Sequence, residues 1–114
     1  MELDTSQIDG GITLIRLRGR MDSQGVQGID IKLAAITGVD QGAFIADMSG
    51  VEFLASIGIR SIIVAAKTVK ARGGRLVLLK PNALVADVLA MVGITHIVPV
   101  FHELDAASAA VTQT

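Results

Sequence analysis

Residues 43–72, AFIADMSGVEFLASIGIRSIIVAAKTVKAR, decide the fold class, because a buried strand is followed there by an amphipathic helix. Residues 43–48 are almost wholly apolar, which is typical of a strand buried on both faces of a sheet. From Ser56 to Arg72, apolar residues recur at three- and four-residue steps, and the basic residues lie mostly off that stripe. A strand that leads into a helix in this way is the repeating unit of a parallel α/β sheet.

The flanking sequence repeats this alternation. Upstream, alternating apolar and polar residues at 12–18 follow Asp9-Gly10-Gly11, so a β-hairpin is expected to open the chain, and a helix that ends at Gly38 follows it. Downstream, the pattern predicts a strand at 75–79, a helix at 83–92, a short strand within 94–101 and a helix at 103–111. The order predicts a single α/β domain over residues 1–114, with a mixed, mostly parallel sheet and about four helices.

Composition excludes several classes of function. The chain is 51% apolar and 18% charged, as in a folded domain. It has no Cys, which excludes disulfides, thiolate metal sites and cysteine nucleophiles. Three Phe are its only aromatic residues and its net charge is -1, so nucleic acid is not an expected partner.

The sequence also argues against a membrane protein. No apolar run approaches the roughly 18 residues that a spanning helix needs. Residues 1–4, Met-Glu-Leu-Asp, are acidic where a secretory signal is basic. We therefore expect a cytoplasmic location without membrane insertion.

No enzyme motif is present. The chain lacks the Walker, Gly-x-Gly-x-x-Gly, His-Glu-x-x-His and Gly-x-Ser-x-Gly patterns. His96 and His102 have no neighbouring residues at metal-ligand spacing. The sequence therefore predicts no catalytic residues, no metal and no cofactor.

Ser56 lies where the helix of residues 56–72 is expected to begin. Its hydroxyl either caps that helix or faces solvent, and serine is one of the preferred N-cap residues. A helix N-terminus also tolerates a phosphate, because its free N–H groups and positive dipole end favour negative charge. Capping and regulatory phosphorylation are therefore both open at this residue.

The same segment resembles the STAS domain of bacterial anti-sigma factor antagonists. In that family a strand ending Asp-Leu-Ser-x-Val is followed by Phe-Met-Asp-Ser-Ser-Gly-Leu or a close variant. The present chain has Asp-Met-Ser-Gly-Val at 47–51 and Phe-Leu-Ala-Ser-Ile-Gly-Ile at 53–59. Residues 16–22 are similar to the family's Leu-x-Gly-x-Leu-Asp element, and residues 73–76 and 91–94 are similar to later family features. The match spans nearly the whole chain in order, which implies a STAS-type fold.

The resemblance implies partner switching. Such a protein binds an ATP-dependent serine kinase that otherwise sequesters a sigma factor. The kinase phosphorylates the serine that corresponds to Ser56, and a serine phosphatase reverses this. The implied partner surface has three parts: the loop at Asp22, the loop at 53–56 and the helix from residue 57. Its partner-binding residues are Asp22, Phe53, Leu54, Ala55, Ile57, Gly58 and Arg60. A phosphoserine adds about 1.5 to 2 negative charges, and burying them at an interface built for a neutral hydroxyl weakens a complex by on the order of 100-fold or more.

Two departures from the family pattern keep a second class of function open. Ala55 replaces the loop Asp, and Ile57 replaces a small polar residue. A STAS subunit of a transport ATPase or signalling complex, docking without phosphorylation, is the alternative. A small-ligand sensor is a third hypothesis, but no convergent polar cluster is evident to orient a ligand.

Three of the implied contacts also have purely structural interpretations. Asp22 is suited to capping the first helix. Ile57 either packs under the sheet or faces a partner, and Arg60 is either a partner contact or a solvated side chain. The sequence leaves the oligomeric state open between a monomer and a weak dimer.

Overall fold

The computed structural model describes residues 1–38 and 42–112, and its strands and helices alternate as the sequence predicts. The elements are β1 (Glu2–Ile8), β2 (Ile12–Met21), α1 (Ser23–Thr37), β3 (Ala43–Leu54), α2 (Ser56–Ala71), β4 (Arg75–Leu79), α3 (Ala83–Met91), a 3-10 turn (Ile94–His96), β5 (Val100–Phe101) and α4 (Leu104–Thr112).

The five strands in the described part of the chain form one sheet in the order β1-β2-β3-β4-β5. β1 pairs with β2 in an antiparallel hairpin, whose turn contains Gly10 and Gly11 at φ values of 87° and 73°. The later neighbours, β2 with β3, β3 with β4 and β4 with β5, are parallel. The predicted α/β fold, with a mixed sheet opened by a hairpin, is confirmed.

Helices cover both faces of the sheet. Helices α1, α2 and α3 pack on one face, where Ile15, Met48 and Leu78 are fully buried. Helix α4 packs on the other face through Ala107 and Val111. Each large aliphatic side chain buried in this way contributes about 1.5 to 3 kcal/mol, so these two clusters hold the helices against the sheet.

β3 is longer than the sequence indicates. The prediction of a loop at 53–56 is wrong. β3 continues to Leu54, and a single residue, Ala55, connects it to α2. The register of β4 on β3 stops at Asp47, whereas β2 continues beside β3 as far as the pair Met21 and Leu54. Pairing with β2 thus extends β3 beyond the segment that its apolar residues predict.

The last strand is as short as predicted. Only Val100–Phe101 forms β5, and a 3-10 turn occupies residues 94–96. Pro99 precedes the strand, and Leu78 of β4 donates its backbone N–H to the Pro99 carbonyl at 2.9 Å. β5 therefore covers only the second half of β4.

Candidate functional site

The candidate site is the edge of the sheet where β2 and β3 end side by side. Each strand leads through one residue into a helix, β2 through Asp22 into α1 and β3 through Ala55 into α2. The backbone N–H of Ala55 donates a 3.1 Å hydrogen bond to the Met21 carbonyl. Two helix N-termini, each with free N–H groups and a positive dipole end, therefore lie next to each other.

Asp22 caps α1, as its position in the sequence predicts. One carboxylate oxygen accepts a 2.9 Å hydrogen bond from the Gly25 backbone N–H, and the other accepts a 3.3 Å bond from Nε of Arg20. The Gly25 N–H, followed by Arg20, lowers the pKa of Asp22 below its ordinary value. Half-buried and bonded on both oxygens, Asp22 is fixed beside the start of α2.

Ser56 is the first residue of α2 and does not cap it. The N-cap is Ala55, with extended φ and ψ of -93° and 169°, and none of the side chains that the structure describes caps the helix. The interpretation of Ser56 as an N-cap is therefore wrong by one position. Its side chain is exposed, and within residues 1–38 and 42–112 its hydroxyl has no hydrogen-bond partner. The hydroxyl is consequently available to another molecule.

Arg20 belongs to this site, although no local sequence motif singles it out. Its guanidinium carbon lies 4.3 Å from the centroid of the Phe53 ring, within the range of a cation–π interaction. The two residues face each other in the parallel register of β2 and β3. Arg20 can be identified only from this register, and the register can be assigned only once β2 and β3 are known to be neighbours.

Exposed side chains continue from Ser56 along α2. Arg60 is exposed, Ile57 is 40% exposed, and both line a groove of about 410 Å³ between α1 and α2. The Ser61 hydroxyl donates a 2.9 Å hydrogen bond to Asp30 and so ties the two helices together beside this groove. Ile57 thus faces the groove and does not pack under the sheet.

The remaining expected contact residues differ in how far they reach the surface. Phe53 and Ala55 are half-buried and share the surface with Ser56. Leu54 is 5% exposed and belongs to the core, and Gly58 is buried against Met21. Leu54 and Gly58 therefore support this edge from below, and its exposed surface comes from their neighbours.

The described residues contain no group of three or more His, Cys, Asp or Glu side chains that could hold a metal ion. No helix in that part of the chain is both long enough and apolar enough to cross a bilayer.

The STAS domain family model matches residues 5–107 of the chain. The chain belongs to the STAS domain family. A Bordetella bronchiseptica protein, BtrV, a candidate anti-sigma factor antagonist by name, is 28% identical to this STAS chain over 110 residues, which cover 96% of the chain and 94% of BtrV.

Solved structures share the STAS fold. The anti-sigma factor antagonist SpoIIAA in its unphosphorylated form superposes with a TM-score of 0.77 at 20% identity, covering 99% of both chains. The phosphorylated Bacillus SpoIIAA gives 0.70 at 20% identity, covering 96% of this chain and 99% of that one. The murine anion transporter Slc26a9 gives 0.77 at 22% identity over 93% of this chain, which is 18% of the transporter chain.

Proposed function

We propose that this STAS protein is an anti-sigma factor antagonist that acts by partner switching. In its unphosphorylated form it binds a serine kinase that serves as the anti-sigma factor, and phosphorylation of Ser56 by that kinase releases it. A serine phosphatase restores the binding form. The observation that carries the proposal is the exposed, unbonded hydroxyl at the first residue of α2. The chain is not an enzyme in this scheme, and its use of a kinase and cellular ATP implies a cytoplasmic location.

The start of α2 suits a phosphate. Free backbone N–H groups and the helix dipole attract negative charge there, and the first turn has no acidic side chain to repel it. A phosphoserine at position 56 is thus compatible with the folded chain, and the switch needs no rearrangement of the protein. Phosphorylation is therefore expected to change partner binding and not the fold.

The proposed interface surrounds Ser56. Phe53, Ala55 and Ile57 supply apolar contact, Arg60 supplies a positive charge, and Asp22 lies at the neighbouring helix start. A partner that packs on these residues and offers a hydrogen-bond partner buries the neutral Ser56 hydroxyl at little cost. Burying a doubly charged phosphate in its place is expected to weaken the complex by on the order of 100-fold or more.

Affinity purification from lysate of the native cell tests the proposal. Wild type, Ser56→Glu and Thr95→Glu serve as parallel baits, with mass spectrometry of bound proteins and of phosphosites on the bait. Thr95 is an exposed hydroxyl residue in the 3-10 turn, so its replacement controls for added charge alone. We expect wild type and Thr95→Glu to retain a serine kinase, Ser56→Glu to lose it, and the purified kinase with ATP to phosphorylate Ser56. Equal retention of the kinase by Ser56→Glu would contradict the switch.

A STAS subunit of a transport ATPase or signalling complex is the second candidate function. Two points favour it: the same fold forms part of the chain of Slc26a9, an anion transporter, and Ala55 provides no carboxylate where the family motif that this segment resembles has Asp. In that case wild type and Ser56→Glu retain the same transporter or scaffold subunits, and no phosphate is found on Ser56.

A further inference from the structure

We propose that a groove at the far end of α2 from Ser56 binds an extended, acidic segment of a partner protein. The groove, of about 470 Å³, lies between the end of α2, the start of β4, residues 97–99 and the end of α4. Its lining includes Lys70, Gly74, Arg75, Leu76, Ile97 and Pro99. Its α2 lining residues, Ala66 and Lys70, lie roughly 15 and 21 Å from Ser56 along the helix at 1.5 Å per residue.

The groove exists because β5 is too short to cover β4. Leu78 and Lys80 donate their backbone N–H groups to the carbonyls of Pro99 and Phe101, at 2.9 and 2.8 Å. Alternate residues of a strand direct their N–H and C=O groups to the same side, so those of Leu76 point into the groove. No backbone group of the described residues pairs with the Leu76 N–H on that side. The Leu76 N–H is therefore free to form a backbone hydrogen bond with an added strand.

Positively charged side chains lie around the groove that contains the Leu76 N–H. Between Glu52 and Asp87 the chain contains six Lys and Arg residues and no Asp or Glu. Four of the six lie at this end of the molecule and are exposed, namely Lys67, Lys70, Arg72 and Arg75. None of these four is in a salt bridge within residues 1–38 and 42–112, whereas Arg16, Arg18 and Arg20 are all paired with carboxylates. The patch thus complements a negatively charged partner.

The shape of the groove identifies the kind of partner. An extended peptide can bond to Leu76 through its backbone, direct carboxylates to Lys70 and Arg75, and place an apolar side chain against Ile97, which is 51% exposed. A bilayer surface cannot enter a concave groove beside a strand. Single-stranded nucleic acid relies on aromatic stacking, and none of the three Phe residues lines the groove. An acidic peptide segment fits all three features.

This site goes beyond the proposed switch and is independent of it. Its distance from Ser56 is larger than the Debye length of about 8 Å at physiological ionic strength. A charge at Ser56 is therefore expected to leave binding in the groove unchanged, and the partner kinase and the acidic segment can bind at the same time.

Amide NMR of the ¹⁵N-labelled full chain tests the proposal, with the synthetic peptide Glu-Val-Glu-Val-Glu-Val as the probe. We expect saturable shifts confined to residues 70–78 and 97–98, including the Leu76 amide. Lys70→Glu/Arg75→Glu is expected to weaken binding at least tenfold. Lys32→Glu, which reverses an exposed charge on α1, and Ser56→Glu are expected to leave it unchanged.

Two further peptides separate charge from backbone pairing. Replacing Glu with Gln removes the charge, N-methylation of alternate residues removes backbone donors, and each change is expected to weaken binding at least tenfold. If the double charge reversal disturbs the fold, Lys70→Gln/Arg75→Gln replaces it. Absence of saturable shifts at millimolar peptide, shifts centred on Ser56, or equal binding by the charge-reversed chain would overturn the proposal. So would tighter binding to phosphatidylserine vesicles or to oligouridine than to the peptide.

Discussion

Gly58 lies so close to Met21 that a Cβ atom on Gly58 would be 2.7 Å from the Met21 Cβ and 2.9 Å from the Met21 carbonyl oxygen. This contact lets the first turn of α2 pack directly on the end of β2. Met21 is held in the sheet beside Leu54 and its carbonyl accepts the Ala55 N–H, while the Gly58 N–H donates to the Ala55 carbonyl, so neither residue can move away easily. The close approach sets the distance between the two helix starts.

Gly58→Ala is therefore expected to destabilise the protein by about 1 to 3 kcal/mol, as overpacking of a filled core does. Urea unfolding followed by circular dichroism measures the change. Gly28→Ala is the matched control, because Gly28 lies in α1 with nothing within 4 Å of its added Cβ. That variant is expected to gain about 0.5 to 1 kcal/mol from helix propensity. A Gly58→Ala protein as stable as Gly28→Ala would mean that the edge is not tightly packed.

Ala55→Asp is expected to stabilise the protein by about 0.5 to 2 kcal/mol, because it supplies the cap oxygen that α2 lacks. The extended backbone at position 55 already has the geometry of an N-cap. Thermal unfolding should show a higher Tm than wild type, whereas Ala55→Val, which adds side-chain volume without an oxygen, should show no such gain. If Ala55→Asp does not raise the Tm, the first N–H groups of α2 are not accessible to a side chain at position 55.

Ser56→Glu is expected to remain folded and to be about 0.3 to 1 kcal/mol more stable at low ionic strength, because it adds negative charge to the first turn of α2. The gain should shrink at 1 M salt, where the Debye length is about 3 Å. Urea unfolding at the two salt concentrations measures it. A loss of stability would mean that added charge at this position strains the fold, and loss of partner binding by this variant would then have a structural cause.

The pKa of Asp22 gives the stability a specific pH dependence. Its folded pKa is lowered, mainly by the Gly25 N–H and then by Arg20, so its contribution is present above the unfolded pKa of about 3.9. That contribution is lost as the pH falls through the folded pKa. In Asp22→Asn, which keeps a cap oxygen, the deficit in urea midpoint relative to wild type should be constant above about pH 5 and shrink below about pH 4. A deficit that stays the same down to pH 2.5 would show that the carboxylate charge is not involved.

Local sequence signals predict most of the fold, because the features that carry them are short-range. The Asp22 cap is confirmed, and so is Asn82 as the cap of α3, where it accepts a 2.8 Å hydrogen bond from the Val85 N–H. The hairpin at Asp9-Gly10-Gly11 is likewise confirmed. In each case a side chain or a turn acts within about three residues of its partner.

The features that the sequence does not predict depend on distant partners. β3 extends to Leu54 only because β2 lies beside it, and Arg20 meets Phe53 only through the register between those strands. The one-position error at Ser56 follows from the same dependence. A serine before an apolar helix has the composition of an N-cap, but the start of α2 is set by where β3 ends beside β2. The groove beside Leu76 depends on the length of β5, a strand of two residues.

The order of the strands across the sheet is the same as their order along the chain. As the polypeptide emerges from the ribosome, each new strand meets a partner strand that has already been synthesised. No strand has to insert between two that are already paired. The sheet can therefore grow outward from the β1–β2 hairpin in one direction during translation, with the edge that carries Asp22 and Ser56 completed before the last two strands are made.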